Sequence, residues 1–254
     1  SHPEIGLCEM PLDQPVPERA ASRRETWLQN SFRDIFKLAR LSGNRDLMET
    51  MIATVARYFG EEKVVKETIA NIHSPFFKIS KFPTHVSSWQ CMSASAWWFG
   101  IMESVVGLRL TRGQLEYIPG DAGRDARVKN LPFGRCVWDV QVTGRGRWVR
   151  RLMVNGQEQK GNYQLLPSGE AQMQTALIEK TDRPPETPVI LSAGASRIAV
   201  REAGRSGLKA RLTGPGVARL WFYSPSRPGL FVNGREADLR WTDCMNLGTA
   251  CIDG

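Results

Sequence analysis

The chain has 254 residues, 41% hydrophobic and 24% charged, with a formal net charge of +8; this is the profile of a globular chain long enough for one large core or two modest ones. No apolar run approaches the length of a membrane span, so no membrane partner is expected. The positive balance would permit nucleic-acid binding, but the densest basic runs, ERAASRR (18–24) and RGRWVRR (145–151), are short and read as solvated faces, which argues against that class.

Residues 1–26 read as an extended leader. WLQNSFRDIFKLARL (27–41) then spaces Trp27, Phe32, Ile35, Phe36, Leu38 and Ala39 as one face of a helix, with LSGN as its stop. Asn44 or Asp46 can cap a second helix carrying Leu47, Met51, Ile52, Val55, Ala56 and Phe59, which Gly60 would end. EEKVVKETIANI (61–72) opens with Glu61 and Glu62, where a helix N-terminus favours negative charge. After a loop over 73–88, SSWQCMSASAWWFGIMESVVGL (87–108) offers Ser87 or Ser88 as a cap. Its almost wholly apolar body predicts a helix buried on every side, with Trp97 and Trp98 as core.

From residue 114 onward the pattern changes to short strands, among them QLEYIP (114–119), CVWDVQV (136–142), MQTALIE (173–179) and RLWFY (219–223), separated by Gly, Pro and Asn-Gly turns. Their density predicts an antiparallel β-sandwich. MVNGQE (153–158) and FVNGRE (231–236) are nearly the same hexapeptide, and each follows a Thr-Gly-x-Gly turn, VTGRG (142–146) or LTGPG (212–216). The order strand, Thr-Gly-x-Gly, strand, Val-Asn-Gly, strand thus recurs. It suggests a duplicated hairpin unit, over about 131–180 and 189–254, with DRPPETP (182–188) between the copies. Each Asn-Gly suits a two-residue type I′ hairpin, in which both positions need positive φ.

The five cysteines, Cys8, Cys91, Cys136, Cys244 and Cys251, include no CxxC and have only three histidines for company, so no metal site is expected. Cys244 and Cys251 flank a tight turn and could pair, although free thiols are the simpler expectation. No nucleophile elbow, phosphate loop or dinucleotide fingerprint occurs, and no cofactor is implied.

The junction WQCMSASAWWFGIMESVVGLRLTRGQLEYIP (89–119), with its small-residue and aromatic helix, Val-Gly-Leu exit and G-x-L-x-x-x-P entry, resembles the end of the six-hairpin glycosidase superfamily. CVWDVQVTGRGRWVRRLMVNG (136–156) is similar to the sandwich strands that follow the (α/α)6 barrel in those enzymes. The resemblance implies an α+β, multidomain chain. A partial α/α-barrel helical segment would fill 27–113, followed by the β-sandwich over 114–254. It also implies an inverting glycoside hydrolase-like activity on an oligosaccharide or glycoside. A closed barrel needs more helices than 27–113 can hold, so a further N-terminal part or a second chain would supply the rest.

Inverting hydrolysis needs two carboxyl groups roughly 6.5–9.5 Å apart. The late loop where the resemblance would place a base, HSPFFKISKFPTHVSS (73–88), has neither Asp nor Glu. No catalytic residue is therefore assigned, and the carboxylates would lie on the missing part. The loop and following helix start offer Lys78, His85, Trp89 and Gln90 as substrate contacts, with Trp89 as the sugar-stacking ring. Phosphorylases of the superfamily hold phosphate with a late His and hydroxyls, and HVSSW is loosely similar, which makes a phosphorylase-like portion one alternative. A non-catalytic β-sandwich, serving as scaffold or carbohydrate-binding module, is the other.

Overall fold

A computed structural model describes residues 26–27, 36–62, 68–69, 91–111, 113–120, 125–167, 172–214 and 217–252. The chain divides into two compact units, residues 1–105 and 106–254. Strand dominates, and among the described residues there is no helical barrel. The expected α+β fold with an α/α-barrel segment is therefore overturned.

In the first unit, α1 (Phe36–Ser42) and α2 (Arg45–Glu62) are joined by a tight turn. Gly43 takes φ +69°, and the Asn44 amide donates to the Ala39 carbonyl at 2.9 Å, closing α1. Asn44 Oδ1 then accepts the Leu47 amide at 2.9 Å, so of the two candidate caps Asn44 is the one used. Phe36 and Ala39 of α1 pack against Met48 and Met51 of α2, joined by Leu47, Ile52, Ala96, Trp97 and Val105. Arg40 Nη1 donates to the Ser104 carbonyl at 3.0 Å across this core.

Three helical expectations fail here. The pair β1 (Thr26–Trp27) and β2 (Thr68–Ile69) is antiparallel strand, although Trp27 and Thr68–Ile69 read as helix. Thr, Trp and Ile all fit a pleated strand once a partner is present, and that long-range pairing outweighs helical spacing. Nor does Gly60 end α2, which continues through it to Glu62. A mid-helix glycine costs only about 1 kcal/mol, and Glu61 and Glu62 consequently stand at a helix end rather than a start. The apolar helix α3 (Cys91–Gly100), continued by a π-helical segment (Ile101–Val106), is not buried all round. Trp97 stacks near Phe36 with ring centroids 5.8 Å apart, but Trp98 and Phe99 are exposed. Ala96 and Trp97 pack on the core of α1 and α2.

The second unit is a β-sandwich-like assembly. Its hairpin β3 (Leu108–Thr111) and β4 (Gln114–Tyr117) is followed by β5 (Ala126–Phe133), β6 (Cys136–Thr143), β7 (Trp148–Val154), β8 (Gln157–Glu158) and β9 (Met173–Thr181). Strands β5 to β9 make one sheet in the order β5-β6-β9-β7-β8. Next come β10 (Val189–Ser192), β11 (Arg197–Gly204), β12 (Gly207–Thr213), β13 (Ala218–Tyr223), β14 (Phe231–Val232), β15 (Arg235–Glu236), β16 (Arg240–Thr242) and β17 (Leu247–Ile252). Of these, β10-β13-β17-β16 form a second sheet and β11-β12 a separate hairpin.

The connecting segment 161–165 joins these pieces. Its Gln164 bridges to Glu116 of β4, and its Asn162 bridges to Ile190 of β10. The amides of Tyr117 and Ile190 donate to the carbonyls of Tyr163 and Gly161, each at 2.8 Å. One layer thus runs from β3 and β4 through 161–165 to β10, β13, β17 and β16. On one face of it, Ile190, Leu220 and Phe222 pack with Ile198, Val200, Leu208 and Leu212 of the β11–β12 hairpin. On the other, Tyr223 meets Trp148 of the five-stranded sheet with ring centroids 4.5 Å apart. Tyr117 and Tyr163 make an edge-to-face pair at 6.4 Å on that same side.

Strand β6 runs parallel to β9, from Val137↔Met173 to Thr143↔Glu179, so the five-stranded sheet is mixed and not purely antiparallel as expected, whereas β10-β13-β17-β16 is antiparallel throughout. The β7–β8 hairpin and segment 161–167 reverse the chain before β9, which re-enters beside β6 in the same direction.

The hexapeptides do form matching hairpins. Asn155 and Gly156 take φ +48° and +79°, and Asn233 and Gly234 take +51° and +78°. The flanks pair as Val154↔Gln157 and Val232↔Arg235. Their surroundings differ, however. Both β6 and β7 lie in one sheet with β9 between them, whereas β12 and β13 lie in different sheets.

Candidate functional site

Lys78, His85, Trp89 and Gln90, the substrate contacts expected from the sequence, lie outside the described residues. A different surface of the second unit presents binding chemistry, and it follows from the alternation of one strand.

In β13, ARLWFY, the side chains alternate between two faces as the pleat requires. Leu220 and Phe222 point into the core with the β11–β12 hairpin. Arg219, Trp221 and Tyr223 belong to the opposite face. At the Tyr223 end Trp148 covers that face, and burial raises the Tyr223 hydroxyl pKa while a hydrogen bond with the Asn246 side chain draws it down. Two residues earlier the cover is gone, and Trp221 is 45% exposed in mid-strand.

The register places partners beside the indole. Trp221 pairs with Ser192 of β10 and Thr249 of β17, and Thr249 pairs with Arg240 of β16, so Ser192, Trp221, Thr249 and Arg240 form one row across four strands. Arg219, two residues along β13, pairs with the exposed Cys251. Adjacent strands are about 4.8 Å apart and same-face neighbours about 6.8 Å apart. Arg219 therefore stands one step along the strand from Trp221, and Arg240 about 10 Å across the sheet. Both arginines are exposed. Trp241, next to Arg240, turns inward instead: its ring lies 6.3 Å from Phe222 and its Nε1 donates to Asp243 Oδ1 at 2.6 Å.

An exposed indole on a sheet face, with one guanidinium along its strand and another across the sheet, can receive the apolar face of a ring while the arginines donate hydrogen bonds at its rim. The sequence held one clue to it. RLWFY alternates, and the tryptophan falls on the same parity as the arginine, away from Leu220 and Phe222.

Elsewhere, a buried carboxylate, Glu116, accepts from Ser192 Oγ at 3.1 Å and meets Arg109 Nη1 at 3.4 Å. These contacts tie β4 to β10 and serve the fold. Among the described residues no cluster of His, Cys, Asp and Glu could hold a metal ion. Cys244 and Cys251 are free thiols.

No family model, curated protein or solved structure matches this chain. The Trp221 surface therefore has to be read from its own geometry.

Proposed function

We propose that residues 106–254 act as a carbohydrate-binding β-sandwich module, with Trp221 as the ring on which a sugar stacks. One observation carries this: Trp221 is a large, half-exposed aromatic in the middle of a central strand, on a face whose continuation at Tyr223 is already sealed by Trp148. Scattered exposed apolar residues are ordinary at a surface. A flat indole with hydrogen-bonding Arg219, Thr249 and Arg240 around it is the composition of a small ligand platform.

The magnitude is sufficient for a measurable affinity. Covering roughly 100 Å² of indole at about 25 cal/mol per Å² gives about 2.5 kcal/mol, on the order of a fiftyfold change in affinity. The inverting glycoside hydrolase-like reading of the sequence, with a phosphorylase-like alternative, supplies a setting for such a module: it would hold polysaccharide while carboxylates on another part of the enzyme cleave it.

Affinity electrophoresis of the 254-residue chain through gels containing soluble polysaccharides tests the assignment. Retardation by at least one polysaccharide, lost in Trp221→Ala with an unchanged circular dichroism spectrum, is the expected result. A chain that no polysaccharide retards, or a variant retarded as strongly as the parent, removes Trp221 as a sugar platform.

A further inference from the structure

We infer that the ligand of the Trp221 face is an acidic polysaccharide, one bearing carboxylate or sulfate groups; this rests on the carbohydrate reading above and adds its charge. The observation is the state of the two arginines. Some basic side chains of the unit are committed to acids, Arg205 to Glu186 at 2.5 Å, Lys209 to Glu202 at 2.9 Å, Lys160 to Glu158 at 3.4 Å and Arg151 to Glu179. Arg127 and Arg211, like Arg219 and Arg240, are not among them, so it is the position beside Trp221 that sets the last two apart. Among the described residues Arg219 and Arg240 meet no carboxylate, and both are exposed on the face that carries Trp221.

The register rows around the indole supply Ser192, Thr249 and Cys251 as further neighbours, and among the described residues no acid stands in either row; the carboxylate that Ser192 meets, Glu116, is buried. The guanidinium group is always charged, and its planar fork matches a carboxylate or sulfate with two parallel hydrogen bonds. A pair of them, one beside the indole and one about 10 Å away across the sheet, fits successive charged sugars along a chain better than a single neutral ring. A neutral glycan would gain from the indole but leave both guanidinium groups without an ionic partner.

Three polymers separate the possibilities: polygalacturonate carries only carboxylates, dextran sulfate only sulfates, and dextran neither. The full chain is titrated with each at moderate ionic strength, alongside R219Q/R240Q and the charge-matched control R127Q/R211Q, whose arginines are exposed on other strands. At least tenfold tighter binding of one acidic polymer than of dextran is expected, and which one binds assigns carboxylate or sulfate. R219Q/R240Q should bring that affinity within about twofold of the dextran value, while R127Q/R211Q stays within about twofold of the parent. Equal binding of dextran and both acidic polymers overturns the inference but leaves the sugar platform standing, as does R219Q/R240Q matching its control. Tighter binding to oligo(dT) than to either acidic polymer overturns it in favour of single-stranded nucleic acid. Failure to bind any of the three glycans, or others in the electrophoresis, removes the carbohydrate reading itself.

Discussion

Gln164 grips the backbone on both sides of Arg197: its Oε1 accepts the amide of Ile198 at 2.8 Å, and its Nε2 donates to the carbonyl of Ser196 at 2.7 Å. The side chain is fully buried, and its own backbone lies in the segment that joins β4 to β10. One carboxamide thus fastens the β11–β12 hairpin to the layer beneath it, at the edge of the core around Ile198 and Phe222.

Replacing Gln164 with leucine keeps the volume but strands both backbone groups without partners. Each buried unsatisfied group costs about 1–3 kcal/mol, so Gln164→Leu should lose about 2–5 kcal/mol in urea unfolding. Gln164→Glu retains an acceptor for Ile198 but sets a buried carboxylate against the Ser196 carbonyl, and at neutral pH should lose at least as much as Gln164→Leu. A leucine variant as stable as the parent would show that the hairpin is held by its apolar contacts alone.

The two Val-Asn-Gly turns offer an internal control. Asn155 extends the β7–β9 ladder beyond its last pair: its amide donates to the Thr175 carbonyl at 2.9 Å and its Oδ1 accepts the Thr175 amide at 2.8 Å. Its Nδ2 also donates to Gln174 Oε1 at 2.6 Å. Asn233 takes the same left-handed φ, but its hairpin is an isolated two-stranded one. Alanine at either site meets the left-handed penalty of about 1 kcal/mol. Asn155→Ala should lose roughly 1–2 kcal/mol more than Asn233→Ala, and equal losses would mean that the Asn155 side-chain bonds to Thr175 and Gln174 contribute nothing net.

How much of this was legible differs with the range of the interaction concerned. The Asn-Gly turns, the Asn44 cap and the β13 alternation are set within a few residues, and the sequence displays them. The role of Gln164 is not displayed, because NYQLLP reads as one more short strand until Glu116 and Ile190 flank it. The strand pair Trp27↔Thr68 was hidden for the same reason, since helical spacing of apolar residues says nothing of a partner some forty residues away. The apolar body of α3 reads as buried all round, yet composition cannot say how many neighbours arrive, and Trp98 stays exposed. At Trp221 the parity was visible, but not that Trp148 would stop one step short of it.

Thr-Gly-x-Gly conceals a second distinction that substitutions can expose. Gly146 has φ +108°, and a Cβ there would lie 2.2 Å from the Thr181 carbonyl carbon, which is backbone that cannot step aside. Gly156 also has positive φ, but a Cβ there meets nothing within 4 Å. Gly156→Ala should therefore lose about 1 kcal/mol from backbone strain alone. Gly146→Ala must also push β7 and β9 apart, for a loss of more than about 3 kcal/mol. Thermal unfolding of the two variants in parallel decides the matter, and similar midpoints would contradict the close approach.

Tyr163 gives the fold an alkaline limit. Burial raises its hydroxyl pKa well above the ordinary tyrosine value, and the Val149 backbone amide offsets this only in part. At neutral pH the phenol is protonated in folded and unfolded chains alike, so the shift has no effect on stability there. Above about pH 10 the unfolded chain loses the proton first. Stability then declines as pH rises toward the folded value, by up to about 1.4 kcal/mol per pH unit for this one group. Tyr163→Phe removes the titration and should flatten the decline in stability measured by urea unfolding between pH 9 and 11. An unchanged slope would place the alkaline sensitivity on other groups, Tyr223 first among them, since burial raises its pKa as well.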